Sequence, residues 1–297
     1  MTDLSTIPFM LICKKAKEKV TVCLSGEGGD EVFVGYDRFK ASKFDQMFQK
    51  IPRLIRKNVI NALIQKLPDQ SQKKGIFNVL RRFMDGSSLP KVGHHMRWQY
   101  FLDPSKNNLL FSDEVLRQAD ANPFALIEKV LNGCKSEDRL DQEIYIDLRF
   151  TMPDSVLMKV DKMSMATALE VRVPFLDYEF IEFSASIPSA WKLEGFQTKS
   201  IFRESLKGIL PENIVYRGKQ GYSFPIKNWL RQELKGYMIE LLNESPLVRQ
   251  YLKLDYVNTL IQQHLARTHN HNHVLWALMN MALWHKIFVL EQWAGKK

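Results

Sequence analysis

Apolar residues recur at helical spacing along most of this 297-residue chain, and one short run near its start breaks the rhythm. Pro8 followed by Phe9, Leu11, Ile12 and Ala16 predicts a helix with proline in its first turn, ending near Lys19. Val20-Thr21-Val22-Cys23-Leu24 then reads as a buried strand and leads directly into Ser25-Gly26-Glu27-Gly28-Gly29-Asp30-Glu31. Phe33, Tyr36 and Phe39 continue at helical spacing. Beyond them the periodicity predicts helices over residues 51–67, 75–84, 92–101, 113–118, 123–131 and 137–150, and then a denser region over 152–186. Helices are also predicted over 198–209, 225–242, 254–266 and 274–293. One strand is too few for a parallel α/β sheet, so the chain is either nearly all helical or the later part of a larger α/β protein. With no internal repeat or flexible linker, one mainly helical α/β domain is the economical architecture.

The glycine-rich turn carries the candidate chemistry. Three glycines within four positions permit positive φ and let bare backbone N–H groups close on an anion at a helix N-terminus. Glu27 and Asp30 would repel a phosphate there, unless Mg²⁺ bridges them or one moves a proton on a second substrate. The plainer alternative is a solvated strand-to-helix loop capped by Ser25 or Asp30.

Composition narrows the classes. A 45% hydrophobic content is enough for a substantial core. No segment approaches the ~18 uninterrupted apolar residues of a membrane span. The start Met1-Thr2-Asp3-Leu4-Ser5 lacks the parts of a signal peptide, so a cytoplasmic location is expected. Cys13, Cys23 and Cys134 are odd in number and far apart, which fits reduced thiols. The net charge of +9 admits nucleic acid, acidic lipid or a polyphosphate as partner. Its carriers, such as Arg53, Arg56, Lys57, Arg81 and Arg82, are spread like solvated helix faces. A basic helical nucleic-acid binder stacking bases on Trp98, Tyr100, Trp191 and Trp229 is the rival class, although those aromatics sit among apolar positions and read as core. His94-His95, and the alternating His269, His271 and His273, read as solvated capping sequence rather than metal ligands.

The loop and its sequel Val32-Phe33-Val34-Gly35-Tyr36 closely resemble the pyrophosphate-side loop of glutamine-dependent asparagine synthetases. Further similar motifs follow in family order: Val160-Asp161-Lys162-Met163-Ser164-Met165-Ala166, then Leu169-Glu170-Val171-Arg172-Val173-Pro174-Phe175-Leu176-Asp177. Thr198-Lys199-Ser200-Ile201-Phe202-Arg203 and Lys219-Gln220-Gly221-Tyr222-Ser223-Phe224-Pro225 complete the set. The resemblance implies that residues 1–297 form a synthetase domain of the adenine-nucleotide α-hydrolase kind, a Rossmann-like layer carrying a large helical subdomain. It implies ATP and Mg²⁺ as cofactors and aspartate and ammonia as substrates, with β-aspartyl-AMP as intermediate. By the same resemblance Lys199 would neutralise developing phosphate charge and Asp30 would hold Mg²⁺. Ser25, Gly26, Gly28 and Gly29 would line the pyrophosphate, and Glu27 would take a proton from the attacking ammonia. For Glu170, Arg172 and Asp177 two readings stay open, substrate contact and a buried ion-pair network that fixes the helical subdomain. Asp161 and Lys162 would orient the site from behind.

Two departures from the family pattern stand out. Position 2 is Thr2 where the family's glutaminase domain begins with a cysteine, and the ATP-gripping S-G-G-x-D-S loop occurs nowhere in the sequence. The resemblance therefore implies a truncated synthetase domain, inactive alone, with a separately encoded glutaminase and ATP-loop half as candidate partner. Family chemistry on another carboxylate and a non-catalytic subunit are the alternatives; Glu27 favours the asparagine type.

Overall fold

A computed structural model describes residues 3–65, 75–87, 89, 91–99, 102, 106–119, 122, 124–218 and 224–291. The Lys219 to Ser223 part of the last motif, Thr2, Tyr100 and the predicted helix residues beyond 291 lie outside them. The chain enters helix α1 (Thr6–Lys17) and turns into strand β1 (Val22–Leu24). That strand is shorter than the apolar run and is not buried, with Val22 41% and Leu24 74% exposed. Its parallel neighbour is β2 (Glu170–Arg172), in the register Val22 to Glu170 and Leu24 to Arg172. The sequence hid β2 because Glu170 and Arg172 interrupt the apolar run that marks a buried strand. Among the described residues the other sheet is a hairpin of β3 (Leu193–Glu194) and β4 (Gln197–Thr198).

After the loop come α2 (Gly29–Val32) and α3 (Asp37–Phe48). The helical spacing of Phe33, Tyr36 and Phe39 does not mark one helix, because Val34 adopts φ 58° and turns the chain between the two. Val34 and Phe39 are instead buried with Ile144 and Leu193 beneath the loop. The region predicted as a helix over 92–101 is a pair of tight turns at Lys91–Gly93 and His95–Trp98.

Helix α4 (Arg139–Ile146) does not stop near 150. It runs through wide i→i+5 turns over Asp147–Leu157 into α5 (Met158–Met165), passing Pro153. Proline has no N–H for the ordinary ladder, and a widened register accommodates it. The next helices are α6 (Tyr178–Ser186) and α7 (Ser200–Ser205), the second shorter than the predicted 198–209. The helix predicted over 225–242 is two pieces, Ile226–Trp229 and α8 (Lys235–Glu244). Helix α9 (Leu254–Leu265) matches its amphipathic pattern in position, whereas α10 (Asn272–Trp284) ends short of the predicted 293 and passes into wide i→i+5 turns over His285–Val289. Leu230, Met238, Leu242, Val248, Val257, Ile261, Leu275 and Met279 form the largest apolar core, located in this C-terminal helical part. Each such side chain contributes about 1.5–3 kcal/mol on leaving water. Among the described residues no helix is long and apolar enough to cross a membrane.

Candidate active site

The loop between β1 and α2 is fastened at both ends. The Ser25 N–H donates to the Arg172 carbonyl at 2.8 Å, extending the β1–β2 pairing, and the Ser25 hydroxyl accepts from the Glu27 N–H at 3.4 Å. Of the three loop glycines only Gly28 takes a positive φ, 92°, and a Cβ there would also lie 2.5 Å from the Leu176 side chain. Gly29 opens α2 and faces the Phe175 ring, while Gly26 has nothing within 4 Å. The bareness of the loop thus serves one sharp turn and one close approach. Phe33 packs among Phe175, Phe180 and Phe202, stacking on Phe202 at 4.7 Å between centroids. The Val-Pro-Phe-Leu run therefore acts here through Phe175 and Leu176, which press on the glycines.

Two acid–base pairs form on this loop, their lysines arriving from two other segments. Lys199 Nζ lies 2.7 Å from Asp30 Oδ1, with side chains 27% and 21% exposed. Lys159 Nζ, on the inner side of α5, lies 3.5 Å from Glu27 Oε1. Lys199 immediately precedes α7 and holds φ 58°, a left-handed conformation that costs a non-glycine residue about 1–2 kcal/mol. A Cβ on Gly35 would collide with the Asp30 carboxylate and with Lys199 Cε, so this glycine makes room for the pair. An ion pair this exposed contributes less than about 1 kcal/mol to folding. Strain at Lys199 and an emptied position at Gly35 point to placement of charge rather than to stability.

The remaining predicted site residues are elsewhere. Asp161 and Lys162 are exposed on α5, and neither is bonded to Glu27, Asp30 or Lys199. Glu170 and Arg172 pair with each other at 2.7 Å in solvent, which corrects the expectation of a buried network at these positions. Asp177 is an exposed helix cap, accepting from the N–H groups of Glu179 and Phe180. The cause is strand alternation: Val171 turns toward the helices, so its two neighbours turn outward.

A buried ionic network does exist, beneath α2 and α3. Glu31 is fully buried and accepts from the Tyr36 hydroxyl at 2.6 Å; burial pushes its carboxyl pKa up in spite of that bond. Arg38 lies 4.0 Å over the Tyr36 ring and pairs with Asp147 at 2.6 Å. Asp147 also meets His95 at 3.0 Å, and His95 is 3.5 Å from Glu143. Burial alone would disfavour the His95 cation, but Asp147 and then Glu143 outweigh it and raise its pKa to about 9. Asp45, completely enclosed, gathers His94, Arg97 and Arg139 at 3.0–3.2 Å. His94 and His95 are thus core residues, not solvated capping sequence.

Nothing in the sequence marks Lys159, Gly35 and Glu31 by spacing alone. Gly35 lies inside the loop motif, while Lys159 needs the packing of α5 against α1 to bring it to Glu27. Among the described residues no group of three or more His, Cys, Asp or Glu could hold a metal, and the three cysteines are free thiols. The rings of His269 and His271 stack on each other at 5.7 Å.

Loop, lysine turn and the 160–177 segment thus come together in space, and residues 1–286 match the family model described as asparagine synthase. The chain belongs to the asparagine synthase family. Among its curated relatives, the glutamine-hydrolyzing asparagine synthetase 1 of Bacillus subtilis (strain 168) is 30% identical over 293 residues, covering 97% of this chain and 44% of its own. Asparagine synthetase 3 of the same organism is 28% identical over 211 residues, covering 71% of this chain and 27% of its own. Amidase chyE of Penicillium rubens is 24% identical over 223 residues, covering 71% and 33%. This asparagine synthase family member spans less than half the length of the curated relatives it matches.

Proposed function

We propose that this chain forms the pyrophosphate side of an ATP-dependent synthetase that converts aspartate and ammonia to asparagine, AMP and pyrophosphate in the cytoplasm. The observation that carries the proposal is the meeting of Asp30 and Lys199 at 2.7 Å, beside a glycine turn that also holds Glu27 against Lys159. The parallel β1–β2 pair, with α1 and α5 leading into its strands, supports a place in a Rossmann-like layer. Residues 1–297 would then constitute a single synthetase domain that lacks its ATP-gripping strand and loop. Since the sequence contains no S-G-G-x-D-S loop, turnover would require the segment that carries one.

In the first step an oxygen of the aspartate side-chain carboxylate bonds to the α-phosphorus of ATP, and the bond to the departing diphosphate breaks. Lys199 would leave Asp30 for that diphosphate and neutralise its growing charge, a positioned cation in a partly dry site being worth a few kcal/mol. In the second step ammonia bonds to the acyl carbon, the acyl–oxygen bond to AMP breaks, and Glu27 takes the proton that nitrogen sheds. Lys159 would hold Glu27 at the correct height above the turn. The donor set suits Mg²⁺: two carboxylates, Asp30 and Glu27, on one short loop, with no cluster of three such ligands among the described residues. Such an ion binds through one or two carboxylates and the substrate phosphates, and when bound it would supply charge neutralisation on the pyrophosphate, held by Asp30.

The test is aspartate-dependent exchange of labelled pyrophosphate into ATP, after the chain is combined with the portion of the Bacillus subtilis asparagine synthetase 1 outside the match. Lys199→Ala should lower exchange about 100-fold or more; exchange at the unsubstituted rate would refute the role of Lys199. The amidase name of one relative favours a second reading, amide formation on another carboxylate. It predicts exchange that is indifferent to aspartate.

A further inference from the structure

Both neighbours of the strained Lys199 are held. Behind it Thr198 pairs with Leu193 in the β3–β4 hairpin, and ahead of it Ser200 opens α7. A serine at the start of a helix ordinarily caps it, but here Lys199 occupies the cap position and Ser200 lies one residue inside. Ser200 is buried, and its hydroxyl reaches back to the hairpin: it accepts from the Glu194 N–H at 3.2 Å and donates to the Gln197 carbonyl at 2.8 Å. Glu194 and Gln197 face each other across the turn, so this one hydroxyl ties both arms of the hairpin to the first residue of α7. A left-handed residue other than glycine persists only where its surroundings over-determine it, and Lys199 is the single link between the paired Thr198 and the tied Ser200. The hairpin is fixed in turn to the elements around Asp30. Leu193 is buried with Val34, Phe39 and Ile144, Val34 lying two residues past α2. At the tip, where Gly195 turns with φ 57°, its carbonyl accepts from Lys43 Nζ of α3 at 2.8 Å. Asp30 and Lys199 therefore stand on one packed base.

We propose that Ser200 is a positioning residue: its hydroxyl locks the left-handed turn that presents the Lys199 ammonium to Asp30, and from there to the diphosphate. Delivery to the diphosphate rests on the proposed function, whereas the lock rests on the hairpin geometry. Without the hydroxyl, Glu194 and Gln197 lose their tie to α7 and Lys199 is free to relax from φ 58° toward about −60°, the value ordinary for a residue entering a helix. Such a relaxation redirects the Cα–Cβ bond and carries Nζ away from the Asp30 carboxylate, which it now meets at 2.7 Å. Ser200 touches neither partner of that pair itself, so it acts through Lys199.

The experiment labels the amines of the 297-residue chain with a trace of acetic anhydride, reads each lysine by mass spectrometry, and titrates magnesium pyrophosphate by calorimetry. Ser200→Ala should raise labelling of Lys199 about 3-fold, within what the loss of a partly exposed ion pair allows, and leave Lys15, paired with Glu18 on α1, unchanged. Ser200→Thr returns a hydroxyl and should restore the original rate. Lys43→Met, a change at the surface that the fold tolerates, removes the other fastening of the hairpin and should also speed labelling of Lys199. Pyrophosphate affinity should fall in Ser200→Ala, yet fall no further when Ser200→Ala is added to Lys199→Ala. Unchanged labelling of Lys199 in both Ser200→Ala and Lys43→Met, an equal rise at Lys15, a threonine variant that labels as fast as the alanine variant, or additive losses of affinity in the double variant would overturn the inference. The expected labelling in a chain that binds no magnesium pyrophosphate would uphold the lock and refute the proposed function.

Discussion

Replacing Gly28, Gly35 and Gly26 in turn by alanine should separate three costs that one loop combines. At Gly28 the added Cβ must sit at φ 92°, which costs about 1–2 kcal/mol, and must displace Leu176 from 2.5 Å, an overpacking of about 1–3 kcal/mol. Gly28→Ala should therefore destabilise the chain by roughly 2–5 kcal/mol. Gly35 has no left-handed backbone, and the nearest atoms its new Cβ meets are those of the Asp30 carboxylate and Lys199 Cε. Those two side chains can swing apart, and their partly exposed pair contributes under about 1 kcal/mol, so Gly35→Ala should cost about 1 kcal/mol or less. Its effect should appear instead in the affinity for magnesium pyrophosphate, which the displaced pair would no longer hold. Gly26→Ala meets nothing within 4 Å and should change stability by no more than about 0.5 kcal/mol. Urea midpoints of the three variants, with calorimetric titration of magnesium pyrophosphate, provide the measurement. Equal losses of stability at Gly26 and Gly28, or undiminished pyrophosphate binding in Gly35→Ala, would refute the reasoning.

Two more predictions concern charge. Lys199→Gly and Lys199→Ala remove the same ion pair, but only glycine relieves φ 58°, so the glycine variant should be the more stable of the two by about 1 kcal/mol in urea denaturation; equal stability would deny the strain. The folded-state pKa of His95, about 9 against an ordinary 6.5, means that its stabilising contribution is complete below about pH 6.5 and lost as pH rises through 9. The loss should amount to about 3 kcal/mol and should flatten in Asp147→Asn, which removes the main partner; urea midpoints from pH 6 to 10 would show both. His264 has the opposite sign. Burial, with Arg231 next, lowers its pKa to about 4, so the unfolded chain binds the extra proton between 4 and 6.5 and stability should fall toward acid in that window.

The loop and the ionic network beneath it are linked through α2. Asp30 pairs with Lys199, and its neighbour Glu31 turns inward to Tyr36. Through the Arg38 stack on Tyr36, the position of the loop is tied to Asp147 and His95. Breaking one partner of such a buried set leaves a desolvated charge behind, which is the most expensive local change available to this fold.

Local sequence was sufficient for features carried by local physics. Apolar periodicity located α1, α9 and α10, because one-sided burial leaves a repeat of 3.6 in the chain, and the continuous apolar run before Ser25 located β1 although the strand itself is exposed. The order of the motifs was also legible, and with it the family, whereas the helix breaks at Val34 and in the 226–244 region were not, since each depends on a turn set by packing. Tertiary structure decided which charges meet. Glu170, Arg172 and Asp177, open to reading as substrate contacts or as a buried network, face solvent, whereas His94 and His95, read as solvated capping sequence, are enclosed with Asp45, Arg97, Glu143 and Asp147. A carboxylate carries no signal of its own burial; that depends on which distant cation the fold places within about 3 Å, as it does for Asp147 with Arg38.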